Sequence, residues 1–393
     1  DKYLFDFALR SNGSSMFGND KRWATFWSTG IGWNLHKEAF LSNVEWLNTL
    51  KLRASIGTTG NQNFQNNKSI AINGYYTADR YRGAIGSYLQ NMKNPDLKWE
   101  QKLDYNIGLD AVFMGVDIRM DFYKSITKDL VSSVGIAPST GFTTVSENLG
   151  KVENKGFEIL ASYTPWQSRD GFVRINGSIA YNKDKILKIS DAMRQFNDNQ
   201  AALAANTDQA LPVAQYQDGL SMNTIFAVPS LGIDPAIGLE MYRKQDGSST
   251  YIWRDTDRVP CGVSVPLYRG TVGITGEYKG IGISITGRYL GGGQMYNNTL
   301  VSMVENADIT QNFDRRVLTE RWNHVGHEAF FKRYKSRTPY DLRNGIYWYS
   351  DDGWIQYPTQ ATSRFVQDQK EFDLSSISVY YDFKREWIAK IGF

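Results

Sequence analysis

The chain has 393 residues, with 44 Lys and Arg against 41 Asp and Glu and a formal charge of +3. That balance excludes the clustered basic excess of a nucleic-acid-binding surface. Mean hydropathy is −0.45, and no stretch approaches the ~18 consecutive apolar residues of a membrane-spanning helix. Aromatic residues are nevertheless 14% of the chain, with 23 Tyr, 20 Phe and 11 Trp, beside 35 Gly and only 10 Pro. The single cysteine, Cys261, allows no internal disulfide. Few thiols, many rings and many glycines fit extended β-structure in an oxidising compartment. The chain opens at Asp1 without Met or a signal sequence, so a removed leader or a longer parent polypeptide is expected.

Period-two segments dominate the chain in order. Tyr3, Phe5, Phe7 and Leu9 alternate with Asp6, Ala8 and Arg10. Trp27, Thr29, Ile31, Trp33 and Leu35 alternate with Ser28, Gly30, Gly32 and Asn34. Leu50, Leu52, Ala54 and Ile56 follow, interleaved with Lys51, Arg53 and Ser55. Residues Asn106–Ser125 read as a two-faced hairpin bent at Met114-Gly115. One face carries Ile107, Leu109, Ala111, Phe113, Val116, Ile118, Met120 and Phe122. The other carries Asn106, Asp110, Asp117, Arg119, Asp121 and Tyr123. The same alternation returns around Phe157–Tyr163, Val173–Tyr181, Val272–Tyr278, Ile281–Tyr289 and Ile377–Phe383. This makes about ten strands, each roughly ten residues long, the length that crosses a bilayer core at a tilt. Helical periodicity is confined to two short candidates in connections, Glu38–Leu47 and Asp191–Ala205.

Connection lengths decide the architecture. Ser11–Arg22 is moderate, and Thr59–Lys102, Thr127–Asn154, Lys183–Leu267 and Gly291–Glu371 are long. Between them fall a compact segment near His36–Asn48 and tight turns at Met114-Gly115, Pro165–Gly171 and Lys279-Gly280. Short and long connections alternate strictly. An antiparallel sheet with long loops at one end and turns at the other is the pattern of an outer-membrane barrel, whereas a soluble sandwich scatters long loops over both ends. The expected fold is an all-β transmembrane antiparallel barrel wall, with its apolar face toward lipid and its charged face toward a wet lumen. Trp23, Trp33, Tyr123, Tyr163 and Trp166 are the expected interfacial rings.

Several phrases resemble the SusC/RagA family of TonB-dependent outer-membrane transporters, in that family's order. They are "LRSNGSSMFGNDKRW" (Leu9–Trp23), "LKLRASIGTTGNQNF" (Leu50–Phe64), "NPDLKWEQKLDYNIGLD" (Asn94–Asp110), "NLGKVENKGFEI" (Asn148–Ile159), "LGIDPAIGLEMY" (Leu231–Tyr242) and "DLSSISVYYDFKREWIAKIGF" (Asp373–Phe393). The resemblance implies about half of a barrel of about 22 strands with long extracellular loops. Residues 1–393 would be part of one receptor barrel domain, with plug, TonB-box and N-terminal strands lying outside the chain. "WIAKIGF" resembles the start of a further strand, so more strands are expected beyond Phe393.

Other candidate chemistry is sparse. His324 and His327 in "HVGHE" are three apart, a spacing that does not put two imidazoles on one face of an extended segment. They read as solvated loop histidines. Asp351-Asp352 and Asp255/Asp257 read as turn formers rather than a glycosidase pair. "GTTGN" (Gly57–Asn61) and "YLGGGQMY" (Tyr289–Tyr296) lack a phosphate-loop pattern and read as strand-to-loop exits. Cys261 reads as a packed thiol. No cofactor or metal is expected, and no catalytic constellation is found, so an enzyme is not expected. The last long connection is rich in rings: Trp322, Tyr340, Tyr347, Trp348, Tyr349, Trp354 and Tyr357, beside Arg321, Arg343 and Asp351. Rings next to hydrogen-bonders grip sugars or extended peptides. Trp322, Arg343, Tyr347, Trp348 and Trp354 are the candidate contacts for substrate or partner, with packing of the loop on itself as the competing reading.

The family resemblance implies import of a large nutrient, an oligosaccharide or an oligopeptide, across the outer membrane of a Gram-negative, Bacteroidetes-like bacterium. It implies a SusD-like surface lipoprotein as partner, the TonB complex acting through the missing N-terminal part, and contact with outer-membrane lipid but not nucleic acid. Inward charges Arg53, Asp117, Arg119, Asp121, Glu158 and Arg174 would line the lumen or hold the plug. The alternative is a SusC-like barrel acting as scaffold in a surface complex without transport.

Overall fold

The structure, a computed structural model, describes residues 1–14, 21–61, 73–81, 84–89, 92, 94, 96–135, 141–142, 144–148, 150–206, 211–308, 310–333, 340–341, 346–347 and 359–383. Ten strands form one antiparallel sheet. They are β1 (Tyr3–Gly13), β2 (Trp23–Asn34), β3 (Leu47–Asn61), β4 (Glu100–Phe113), β5 (Val116–Lys128), β6 (Lys151–Ser168), β7 (Gly171–Lys188), β8 (Tyr268–Tyr278), β9 (Ile281–Tyr296) and β10 (Val366–Tyr381). Each neighbour in the sheet is the next of these strands along the chain.

All ten expected strands are present, and most run longer than the expected ten residues. β6 and β7 each reach 18 residues. The alternation marks only the part of a strand that crosses lipid, while the hydrogen-bonded ladder continues past it into the loops. Residues 35–46, 114–115, 169–170 and 279–280 connect strands at one end; the β1–β2 connection and the four longer ones lie at the other. The turn expected over Pro165–Gly171 tightens to Arg169-Asp170. A register shift between Tyr163 and Trp166 accommodates Pro165, which has no N–H for the ladder.

Two turns are built for hairpins. Met114 (φ 48) and Gly115 (φ 77), like Lys279 (φ 51) and Gly280 (φ 86), both take left-handed backbone. That geometry matches the right-handed twist of the flanking strands.

The candidate helix Asp191–Ala205 is present as α1 (Asp191–Asn206). The other candidate, Glu38–Leu47, is not a helix. A 3-10 turn at Leu35–Lys37 gives way to overlapping turns: Leu41 N–H donates to Glu38 O, Val44 N–H to Leu41 O and Leu47 N–H to Val44 O. The segment must return the chain to the adjacent strand, which leaves no room for a second helical turn. The glycine clusters form the closing residues of two strands, where each leaves the sheet for a long connection. Gly57–Asn61 closes β3, and Gly291–Gly293 forms a bulge within β9.

Candidate functional site

The register places one residue set on each face. On one face a row runs through Phe5, Ile31, Ala54, Ile107, Phe122, Phe157, Tyr181 and Tyr268, each paired with the next across a strand boundary. The row below reads Trp33, Leu52, Leu109, Met120, Ile159, Ile179. Several of these side chains are bare, with Phe5 74% and Ile107 62% exposed, as is Val379, at 70%, further along the same face. An apolar face this extended would be costly in water; it needs hydrocarbon.

Rings bracket that face. Tyr268 and Tyr278 stand at the two ends of β8, ten residues apart, about 33 Å along the strand. At a tilt of about 40° this becomes about 25 Å of height, the apolar band of an outer-membrane barrel. Trp166 meets Tyr278 at 6.3 Å between ring centroids, and Phe157 stacks on Tyr181 at 5.4 Å. Of the expected interfacial rings, Trp23, Trp33, Tyr163 and Trp166 share this face. Tyr123 does not: it pairs with Asn106 and Gly156 on the polar face and donates to Asn182 Oδ1 at 3.0 Å. The strand's period of two decides this, since Tyr123 is one residue away from apolar Phe122.

The opposite face is polar. Lys51, Asp110, Arg119, Leu160, Ser178, Thr271, Arg288 and Asp373 form one row, with Leu160 its apolar member. Arg53 forks onto Asp110 (Nε–Oδ2 2.9 Å, Nη2–Oδ1 3.0 Å) and reaches Asp121 at 3.0 Å; Arg119 completes the group at 3.3 Å from Asp121. Arg288 pairs with Asp373 at 2.8 Å. Thr275 and Ser284 hydroxyls meet at 3.0 Å, and Tyr380 donates to Glu277 at 3.0 Å. So Arg53, Arg119 and Asp121 of the expected inward charges form one lattice. Asp110, which completes it, was legible as an inward residue but not as the partner of Arg53. Arg174 instead lies over the Phe172 ring at 5.7 Å.

At the long-connection end, the described residues of 224–263 and 297–365 fold into one body. Leu300, Val301, Val304, Ala307, Val317, Phe331 and Phe365 form its core. At its centre Arg364 joins both connections. It binds Glu240 (Nη2–Oε2 2.7 Å, Nε–Oε1 3.1 Å) and Glu305 (Nη2–Oε1 2.6 Å), and donates to Phe330 O at 2.6 Å. Side-chain exposure is 5% for Arg364, 1% for Glu240 and 0% for Glu305. Burial by itself would raise the Glu240 carboxyl, but the charge and hydrogen bonds of Arg364 outweigh it and hold the group below its ordinary range. Burial opposes the Arg364 charge as well, yet the two carboxylates push that guanidinium above its ordinary range. Buried Arg321 donates to Lys332 O at 2.8 Å, to Glu305 O at 3.0 Å and to Val304 O.

The expected contact residues divide. Trp322 donates its indole N–H to Pro235 O at 2.8 Å. Its ring occupies the space a Cβ on Gly238 would need, and Gly238 has φ 69. Trp322 therefore stitches the two connections together. Tyr347 pairs with Tyr340 in a two-strand bridge. Arg343, Trp348, Trp354, Tyr349, Tyr357 and Asp351-Asp352 lie outside the described residues.

His324 and His327 correct the expectation drawn from their spacing: a turn folds them face to face, centroids 5.1 Å apart and planes 2° from parallel. Among the described residues no group of three or more metal-ligating side chains assembles. Asp255 pairs with Arg258 at 2.7 Å and Asp257 accepts from Gln245 N–H at 3.1 Å, as turn formers do. Cys261 sits against Ala227 O and Val259 O at 3.5 and 3.4 Å, and burial pushes its thiol up.

The "NPDLKW" phrase also acquires a role that spacing did not reveal. Leu97 and Trp99 pack on Ala24 and Phe26, with the Phe26 and Trp99 rings 5.8 Å apart. Asn148 clamps the Lys98 backbone through both its N–H and C=O, at 3.0 and 3.1 Å.

A meander with an apolar outer face, aromatic rims, a polar inner face and long loops at one end defines the wall of an outer-membrane β-barrel. The sequence model described as "TonB dependent receptor-like, beta-barrel" matches residues 1–221, and the chain belongs to that family. It is 34% identical over 198 residues to the TonB-dependent receptor SusC of Bacteroides thetaiotaomicron, covering 48% of this chain and 20% of that protein. It is 32% identical over 192 residues to the TonB-dependent receptor P39 of Formosa agariphila, covering 48% and 18%. The match thus spans about a fifth of each relative's length. The solved RagAB peptide transporter superimposes with a TM-score of 0.77 over 98% of this chain and 40% of that one, at 21% identity. At that identity the likeness establishes the fold. The SusC/RagA resemblance read from the six phrases is borne out.

Proposed function

We propose that this chain supplies wall and extracellular loops to a TonB-dependent importer of a large nutrient, an oligosaccharide or an oligopeptide, working with a SusD-like surface lipoprotein in a Bacteroidetes-like outer membrane. Residues 1–393 would all belong to one barrel domain, with the plug and TonB-box elsewhere in the protein. The observation that carries this reading is the joining of the two longest connections by the Glu240–Arg364–Glu305 cluster. A rigid body at the loop end of a barrel suits holding a lid or partner, whereas a simple pore needs no such body. The Arg53 lattice would face the plug or the passing solute. Trp322, Arg343, Tyr347, Trp348 and Trp354 would contact substrate or lipoprotein, with Trp322 acting through the loop body it stitches.

Growth on one polymer class at a time tests the proposal. Deleting the TonB-box of the full-length protein abolishes uptake of that class while the protein remains in the membrane. Unchanged uptake overturns transport and favours a scaffold role. Co-purification of a lipoprotein in detergent tests the partner.

A further inference from the structure

Residues 35–46 form the longest connection at the short-turn end. Its own turns take up part of its backbone: Leu41 and Ser42 N–H donate to Glu38 O at 3.0 and 2.8 Å, and Val44 N–H to Leu41 O at 3.1 Å. It nevertheless presents two large rings, with Phe40 68% and Trp46 53% exposed.

Three observations say what covers Trp46 and the connection that also carries Phe40. Trp46 meets Phe113 edge-on, at 6.3 Å and 85°, and Phe113 pairs with Val116 on the lipid-facing side of the wall. The apolar face therefore continues into this connection without a break. Beside it Tyr3 and Trp33 stack at 6.3 Å on the same face. Both direct their polar atoms to one carboxylate: Glu38 accepts from Tyr3 Oη at 2.8 Å, Trp33 Nε1 at 3.0 Å and Lys2 Nζ at 3.2 Å. Rings whose apolar bodies face lipid while their polar tips meet a saturated carboxylate mark headgroup depth.

We propose that the 35–46 connection is a membrane-surface anchor, with Phe40 and Trp46 seated in the interfacial layer of the phospholipid leaflet beside the short turns. The anchor rests on the lipid-facing wall described above. Glu38 and its three donors fix the height of the segment, and the two rings supply the apolar contact. The turn-rich backbone can lie at this depth because it makes its own hydrogen bonds and meets water on its other side.

The test uses the full-length protein reconstituted in phosphatidylethanolamine and phosphatidylglycerol vesicles, in a Cys261→Ser background. A nitroxide is placed at Phe40→Cys or, independently, at Trp46→Cys. Reference labels are Ile107→Cys on the wall and Asn43→Cys within the connection. Collision with oxygen, which partitions into lipid, is compared with collision with a water-soluble nickel chelate. The expected result is an oxygen-to-nickel ratio at residues 40 and 46 several-fold above that at residue 43 and below that at residue 107. A ratio equal to that at residue 43 overturns the anchor while leaving the wall intact. Shielding from both reagents also overturns it and assigns the rings to a protein contact. An aqueous pattern at Ile107→Cys overturns the wall and the anchor together.

Discussion

The ten-stranded wall and the loop body above it solve the same problem in opposite ways. Among the described residues, all but Ile186 of the largest fully buried side chains lie outside the ten strands, among them Phe331, Phe365, Val301, Val304 and Glu305. The wall instead leaves Phe5, Ile107, Phe122 and Val379 bare. The wall relies on lipid to cover its apolar side chains and on its neighbours to satisfy its backbone. The loop body lies beyond the lipid band, so it must build its own core and bury its own charges. The placement of ions follows. In the wall Arg53 and Asp110 stay partly open to the lumen, at 23% and 30% exposure, whereas Arg364 is sealed inside the loop body.

The sharpest way to break this contrast is Arg364→Met. It strips Glu240 and Glu305 of the guanidinium that hydrogen-bonds both, leaving only the longer-range charge of Lys332 beside them, which should cost about 3–5 kcal/mol. Hydrogen exchange should rise across residues 224–263 and 297–333 while the ten strands stay protected. Equal exchange in both regions would mean that the loop body does not fold as a unit. Next in size is Ile107→Arg, a charge placed in the lipid band, expected to cost about 2–4 kcal/mol in vesicle-folding equilibria. An unchanged equilibrium would remove lipid from that face.

Acid should separate the two regions more gently. The folded Glu240 carboxyl is held below its unfolded value, so its contribution is present above the ordinary carboxylate range of about 4.5. That contribution is lost as pH falls through the lower folded value. Exchange in the loop body should therefore increase below about pH 4, before the wall strands respond. The smallest effect belongs to Arg53→Met. Its partners keep access to water, so the change should stay within about 1 kcal/mol in urea unfolding of the reconstituted protein. A loss as large as that of Arg364→Met would show the lumen side to be drier than the wall geometry implies.

These differences also explain what could be read in advance. The strands were legible because each is a local object: a period of two, a tilt-matched length and a glycine turn are all written within about ten neighbouring residues. The two-residue hairpins at Met114-Gly115 and Lys279-Gly280 were visible for that reason. Boundaries were read too short where the ladder outruns the alternation, as in β6 and β7. Tyr123 stands near a strand end but on the polar face, because the period of two and not the distance to the strand end sets the side a ring takes. The stacking of His324 on His327 is not written in their spacing, because it depends on a turn and not on extended backbone.

By itself the sequence determined the ten-stranded antiparallel wall, its two faces and the end at which its long connections gather, because strand polarity and connection length are local quantities. Only the tertiary structure decided that Glu240, Glu305 and Arg364 meet, that Trp322 ties its loop to Pro235, and that Leu97 and Trp99 cap Ala24 and Phe26. Glu240 and Arg364 stand 124 residues apart. No local period records such a pairing, because it exists only once the wall has brought the two connections to the same rim and water has been expelled from between them.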